Sequence, residues 1–217
     1  MQVQTINTPW RDRREAGYLL GHKLDIYRYH DSVVVGIPHG GVEVASAIAE
    51  VLHIPLDVMP CRTIPHPADS RRSIGSISGD EVYIHDCSHT IPQDYISHQI
   101  ATFRWEMMCE NRQYHRTTGK PISLKHRQVI LVNDELVCSD SMITCLRSIR
   151  NQNPSKIIVA VPVISVEAAD VIGAEADEVI FLKKEVFPEF QDVYFVNNPT
   201  VDNVGIENLL EVSKYIR

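Results

Sequence analysis

Apolar residues recur along this chain with two rhythms, one suited to helices and one to strands. Residues 10–29, WRDRREAGYLLGHKLDIYRY, place Ala16, Leu19, Leu20 and Leu24 at helical spacing with charges between them, which predicts an amphipathic helix lying over a sheet. SVVVGIPHGG (32–41) is a short β-branched run ending in a Gly-Gly loop. VEVASAIAEVL then sets Val42, Ala45, Ile48, Ala49 and Leu52 on one helical face, and Pro55 ends that helix because it disfavours helical geometry at the residue before it. PLDVMP reads as the next strand.

Residues 61–81, CRTIPHPADSRRSIGSISGDE, break the rhythm. Rich in Pro, Gly, Ser and charge, they have the composition of a long irregular loop, and loops of about 15 residues without their own structure are commonly functional lids or mobile segments. EVYIHD reads as a short strand beyond it, and a long helix is expected from Pro92 to His115 with Ile96, Ile100, Phe103 and Met107 on its apolar face. From Gln128 the alternation is clean: strand 128–132, helix 141–151, strand 156–161, helix 166–174, strand 178–182. Such alternation means a parallel sheet wrapped by helices. The tail adds an aromatic loop or strand and a last helix. The predicted fold is α/β, a mostly parallel five-stranded sheet with helices on both faces and a small C-terminal hood. It is read as a single domain over 1–217, with hood elements from about residue 185 and from the N-terminal helix.

Composition narrows the function more than the fold. At 217 residues the chain can bury a sizeable core, and 44% hydrophobic with 23% charged residues excludes disorder and fibrous classes. A net charge of −7 argues against general nucleic-acid binding, which rests on basic patches facing phosphate. The five cysteines (Cys61, Cys87, Cys109, Cys138, Cys145) are scattered and lack a C-x-x-C pair, so neither a disulfide framework nor a zinc knuckle is indicated. The N-terminus lacks the apolar run of a signal peptide, and no segment has the roughly 18 apolar residues of a membrane helix. A cytoplasmic protein without membrane contact is expected.

The stretch VILVNDELVCSDSM (129–142) carries the candidate chemistry. Four apolar residues run into Asn133-Asp134, a short loop follows, and an apolar-periodic helix begins at Met142 with Cys145, Leu146 and Ile149 on its face. A strand–loop–helix junction of this kind is suited to phosphate, because the first N–H groups of a helix have no partner inside it. Asp140 stands at its mouth. A carboxylate about 4 Å from a phosphate charge costs about 4 kcal/mol at an effective dielectric near 20, against about 0.3–1 kcal/mol returned by the helix terminus. Alternatively Asp140 is an ordinary N-cap. Either way the side chain would take the place a phosphate needs.

Taken together these segments resemble the type I phosphoribosyltransferase family, within it a group of predicted bacterial phosphoribosyltransferases. WRDRREAG resembles that group's opening helix, VVVGIPHGGVEVA its strand and pyrophosphate loop, DVMPCRTIPHPADSRRSIGSIS its second strand and long loop, and AEADEVIFL its last core strand. VILVNDELVCSDSM sits where the family's signature for phosphoribosyl pyrophosphate (PRPP) falls. The resemblance implies transfer of ribose 5-phosphate from PRPP to a nitrogenous base, with magnesium bridging pyrophosphate and ribose oxygens, and a homodimer. It implies that Asn133 and Asp134 face the ribose, that Val137, Cys138, Ser139, Asp140 and Ser141 form the 5-phosphate loop, and that His39, Gly40, Gly41 and Arg62 meet the pyrophosphate.

The departures point to a second reading. Asn133 stands where a first acid is usual, Cys138, Ser139 and Asp140 stand where a Thr-Gly pair and a small residue normally shape the cradle, His39 replaces an Arg, and Thr63 follows Arg62 where a Lys is typical. The alternative is a non-catalytic module of the same fold that binds a nucleotide, a phosphorylated metabolite or a protein partner, or acts as a regulatory module. Phe187, Phe190 and Tyr194, with Phe195, fall where the family's hood stacks a base, or else form local core. Arg62, Arg71 and Arg72 either close over an acidic ligand or are solvated loop charges. His85-Asp86-Cys87-Ser88-His89 holds several possible metal ligands but reads as a surface turn without a third placed ligand. Cys138 reads as a small buried filler near a helix start.

Overall fold

A computed structural model describes residues 10–86, 90–186 and 194–214. Helix α1 (Arg13–Lys23) opens the fold, and Asp12 caps it by accepting from the Glu15 N–H. Strand β1 (Ser32–Gly36), helix α2 (Gly40–Leu52) and strand β2 (Leu56–Val58) form the first β-α-β unit. After an intervening excursion come β6 (Gln128–Val132), α4 (Asp140–Arg150), β7 (Lys156–Ser165), α5 (Val166–Glu175), β8 (Glu178–Glu185) and α6 (Asn203–Ser213). The main sheet has five strands in the order β2-β1-β6-β7-β8, every pair parallel. The predicted α/β architecture is therefore the observed one.

Residues on a strand alternate between faces, and the core divides accordingly. Val34, Ile130 and Ile158 point to one side and pack with α1, α2 and α6 through Leu20, Ile48, Leu52, Ile206 and Leu210. Val33, Val35, Val129, Leu131, Ile157 and Val159 point to the other and meet α4 and α5 through Met142, Cys145, Leu146, Ile149 and Ile172. Both faces are covered, which is why the strands read as unbroken β-branched runs.

The expected irregular loop over 61–81 is instead sheet. Strands β3 (Arg62–His66), β4 (Asp69–Ser78) and β5 (Glu81–Ile84) make a separate three-stranded antiparallel sheet. Composition misleads here because the buried face of β4 carries serines whose hydrogen bonds come from distant elements. Ser76 Oγ donates to the Asp140 carbonyl (2.9 Å), and Ser78 Oγ donates to the Pro60 carbonyl (2.9 Å). Ile64, Ile74 and Ile77 supply the apolar contacts, against Ile96 and Met107 of α3 (Gln93–Tyr114). Near its tip the β3–β4 pairing shifts register around Pro65, which has no N–H for the ladder.

The segment before α1 meets the segment before α6. Trp10 bridges to Phe195 in parallel register, with the Trp10 N–H donating to the Tyr194 carbonyl and the Val196 N–H donating to the Trp10 carbonyl, both at 2.9 Å. Among the described residues no helix is long and apolar enough to cross a membrane.

Candidate phosphate and ribose site

Strand order reverses between β1 and β6: the chain leaves β1 toward β2 and leaves β6 toward β7 and β8. In an open parallel sheet the crevice for a ligand lies beyond the carboxyl ends of the strands at such a reversal. The two loops there are residues 37–39 after β1 and 133–139 after β6. They abut closely. A Cβ on Gly41 would lie 2.8 Å from the Val132 carbonyl oxygen and 2.9 Å from Asn133 Cα, and one on Gly40 would lie 2.0 Å from Asp134 Oδ2. Only glycine allows this approach, which accounts for the Gly-Gly pair at the start of α2.

The neighbours Asn133 and Asp134 diverge. Asp134 is buried, and its Oδ2 accepts from Arg13 Nε at 2.9 Å. Arg13 is 1% exposed; its Nη1 donates to the Asn198 carbonyl (2.9 Å), and its guanidinium lies over the Phe195 ring, 4.9 Å from the centroid. Asn133 Nδ2 donates to the Glu135 carbonyl at 2.8 Å. Glu43 of α2 is half-buried and accepts from the Val201 N–H (3.0 Å). Burial pushes its carboxyl above the usual range, although the Val201 N–H and nearby Arg13 pull the other way. Arg13 went unremarked in the sequence, yet a signal was there: residues 13, 16, 20 and 24 share one helical face, so a charge stood on the stripe that Ala16, Leu20 and Leu24 bury.

The phosphate-loop candidates lie together. Leu136 is tied to the extended end of β7, its N–H donating to the Val163 carbonyl and its carbonyl accepting from the Ser165 N–H, both at 2.9 Å. Ser165 Oγ donates to the Val137 carbonyl (3.1 Å) and accepts from the Ala168 N–H (3.0 Å), so one hydroxyl both holds the loop and caps α5. Val137 and Cys138 are exposed, which corrects the reading of Cys138 as a buried filler. Ser139, Asp140 and Ser141 are partly buried.

Asp140 is the main correction. The N-cap of α4 is Ser139, whose own side chain makes no capping hydrogen bond, and the Cys138 sulfur meets the Asp140 N–H. Asp140 Oδ2 instead lies 2.7 Å from His85 Nε2, at the end of β5, while its carbonyl accepts from Ser76 Oγ and Thr144 Oγ1, each at 2.9 Å. The small sheet thus holds the Asp140 carboxylate, which also lies close to the Cys138 thiol of the loop. His85 could not be matched to Asp140 from sequence, because 55 residues separate them. Cys87, Ser88 and His89 lie outside the described residues.

Of the pyrophosphate candidates, His39 precedes α2, follows a cis peptide bond from Pro38, and has its Nε2 3.2 Å from Asn203 Oδ1. The same Asn203 oxygen accepts from the Tyr114 hydroxyl (2.8 Å), and burial pushes the Tyr114 pKa up to about 12. Arg62 pairs with Glu110 of α3 and donates to the Cys61 carbonyl (3.0 Å). Arg71 pairs with Asp69 on the exposed part of the hairpin. Tyr194 is buried with Ala16, Val163 and Phe195, and its hydroxyl donates to Glu185 Oε2 (3.3 Å). Phe187 and Phe190 lie outside the described residues. Among the described residues no three His, Cys, Asp or Glu side chains converge on a metal position, and Asp134 is taken by Arg13. The described residues alone do not build a magnesium cage.

In sequence the chain is similar to proteins named as phosphoribosyl transferases. The chain is 26% identical over 174 residues to two Mycobacterium tuberculosis proteins, "Putative phosphoribosyl transferase Rv0571c" of strain H37Rv and "Putative phosphoribosyl transferase MT0597" of strain CDC 1551. The match takes in 79% of this chain but 39% of each relative, so the chain spans about two fifths of their length. The chain belongs to one family with TT1426 from Thermus thermophilus, whose crystal structure superposes with a TM-score of 0.78 at 30% identity, covering 94% of this chain and 98% of that one. No family model matches the sequence.

Proposed function

We propose that the crevice between the loops after β1 and β6 binds PRPP and that the protein transfers ribose 5-phosphate from it to a nitrogenous base. The observation that carries this reading is the orientation of Asp140. With its carboxylate 2.7 Å from His85 and the Ser139 side chain making no capping hydrogen bond, N–H groups in the first turn of α4 beyond Asp140 would be available to an anion. Backbone N–H groups of residues 137–141 and the hydroxyls of Ser139 and Ser141 would take the 5-phosphate. Asn133 and Asp134 would meet the ribose, and the backbone at His39, Gly40 and Gly41 the pyrophosphate, with Arg62 arriving from the hairpin. Any magnesium would come with the donor's own oxygens and help neutralise the leaving pyrophosphate.

A second reading is favoured by one feature. Asp134 is neutralised by a buried arginine and Asn133 is uncharged, so little negative charge faces a developing oxocarbenium carbon. On that reading the crevice holds PRPP or a nucleotide without turnover. Titration calorimetry with PRPP and magnesium, followed by a pyrophosphate-release assay across purine and pyrimidine bases, tests both. Magnesium-dependent binding with base-dependent release is expected. Binding without release favours the non-catalytic module, and absence of binding sinks both.

A further inference from the structure

Two cysteines far apart in sequence meet beside the proposed 5-phosphate loop. Cys61 stands immediately before β3, where the chain passes from the main sheet to the small one, and Cys145 lies in the second turn of α4. Cys61 Sγ donates to the Ser141 carbonyl (3.7 Å). Ser141 precedes Cys145 by about one helical turn, and helical side chains lean back over the turn before them, so the Cys145 sulfur comes to the same place. The Cys145 S–H donates to the Cys61 sulfur, and both side chains pack in the apolar cluster on the α4 side of the main sheet.

The two thiols differ in access and in acidity. Cys61 is partly exposed, whereas Cys145 is fully buried. The hydrogen bond from Cys145 holds the Cys61 thiol below its ordinary range. Burial opposes this, and the Ser141 hydroxyl and the charge and N–H of neighbouring Arg62 reinforce it. The same contact, together with burial, pushes the Cys145 thiol well above that range. A thiolate is the form that attacks an oxidant, so the more accessible member is the nucleophile and the buried one keeps its proton. A nucleophilic thiol beside a second, resolving thiol is the arrangement of redox-sensing cysteines.

We propose that Cys61 and Cys145 are a redox modification site whose co-reactant is a hydroperoxide and whose product is a reversible disulfide. The Cys61 sulfur attacks one peroxide oxygen, the O–O bond breaks, the other oxygen leaves as water or an alcohol, and Cys61 becomes a sulfenic acid. The Cys145 sulfur then attacks the Cys61 sulfur. The S–O bond breaks, and its oxygen leaves as water with the Cys145 proton. The thiol pair gives up two electrons, and the peroxide takes them. Closing the sulfurs to about 2 Å draws the base of β3 toward the start of α4 and removes the thiol donor from the Ser141 carbonyl. The consequence for ligand rests on the PRPP reading: the bond distorts the 5-phosphate loop and lowers PRPP affinity.

The test treats the reduced full chain with hydrogen peroxide and maps disulfides by mass spectrometry of an unreduced digest. A Cys61–Cys145 linkage that dithiothreitol removes is expected. Cys145→Ser should leave Cys61 as a sulfenic acid that dimedone traps, and Cys61→Ser should leave Cys145 unmodified. The proposal is overturned if peroxide oxidises the exposed Cys109 and Cys138 without forming that linkage, or if the linkage forms only in urea. Should Cys145→Ser fail to fold, Cys145→Ala takes its place in the dimedone arm, and the wild-type map decides in any case. Calorimetry with PRPP is the second readout. Oxidation should weaken binding about three- to tenfold, the worth of about one hydrogen bond, with recovery on reduction and no loss in Cys61→Ser. An equal Kd before and after oxidation overturns the effect on the loop, whereas a reduced chain that binds no PRPP overturns the PRPP reading and leaves the map to decide the disulfide.

Discussion

Arg13 and Asp134 stand 121 residues apart in sequence and 2.9 Å apart in the fold, joining the first helix to the loop that resembles a PRPP signature. The arginine is almost wholly buried and also reaches the Asn198 carbonyl and the Phe195 ring. This pair ties α1 and the segment around Phe195 and Asn198 to the sheet reversal where the proposed ligand sits. Breaking it by Arg13→Met leaves a buried carboxylate without its partner and should cost about 3–5 kcal/mol. Arg13→Met with Asp134→Asn should cost less than Arg13→Met alone, because no uncompensated charge remains. Urea denaturation of the single and double variants checks this, and equal losses would refute it.

Gly40→Ala should be destabilising as well as damaging to the site. Its Cβ would fall 2.0 Å from Asp134 Oδ2 and 2.6 Å from Arg13 Nε, so the ion pair itself must move. Overpacking of this kind costs about 1–3 kcal/mol. Thermal melts should show the loss, and Ala substitution at Gly173, where an added Cβ meets nothing within 4 Å, should not.

His85→Ala should weaken PRPP binding without touching the phosphate loop. With the imidazole gone, the Asp140 carboxylate is free to turn toward the α4 amides, where repulsion at close range reaches a few kcal/mol even after screening. A rise in Kd of about tenfold or more is expected. Asp140→Asn in the His85→Ala background should restore affinity, since an amide there repels nothing. An unchanged Kd for His85→Ala would show that the contact does not govern the cradle.

Ser165→Ala removes a hydroxyl that both caps α5 and holds the Val137 carbonyl. A lost cap costs about 1 kcal/mol. The same variant should loosen the 137–141 loop, seen as faster amide exchange there, whereas a pure capping role would confine the change to α5.

Stability should depend on pH through His115 and Asp57. Burial opposes the charged imidazole, but the Asp57 hydrogen bond and charge outweigh it and raise the His115 pKa above its ordinary 6.5. A folded-state pKa above the unfolded one adds stability that is fully present below about pH 6.5 and is lost as pH climbs through the raised value. Denaturation midpoints should therefore fall from pH 6 upward through the neutral range in the wild type, relative to a flatter profile in His115→Gln. Parallel profiles would refute the assignment.

The order of strands and helices was legible in the residues themselves, because the central strands β1, β6 and β7 are covered on both faces and so write apolar runs, and α4 buries one stripe. Strand 128–132 was placed as observed, and the faces of α2 and α4 were identified from periodicity alone. The Asn133-Asp134 junction and the Gly-Gly loop were also visible, since close approach and loop chemistry depend on residue type. What the tertiary structure alone decided were the partners of the polar groups. Segment 61–81 becomes sheet because Ser76 and Ser78 find acceptors on Asp140 and Pro60. The Asp140 carboxylate pairs with His85 because β5 ends beside it, and Asp134 is neutralised because α1 delivers Arg13. Apolar patterning is local and periodic, so one chain segment reveals it. A hydrogen bond or ion pair is set by which two distant groups the fold brings within about 3 Å, and periodicity carries no record of that.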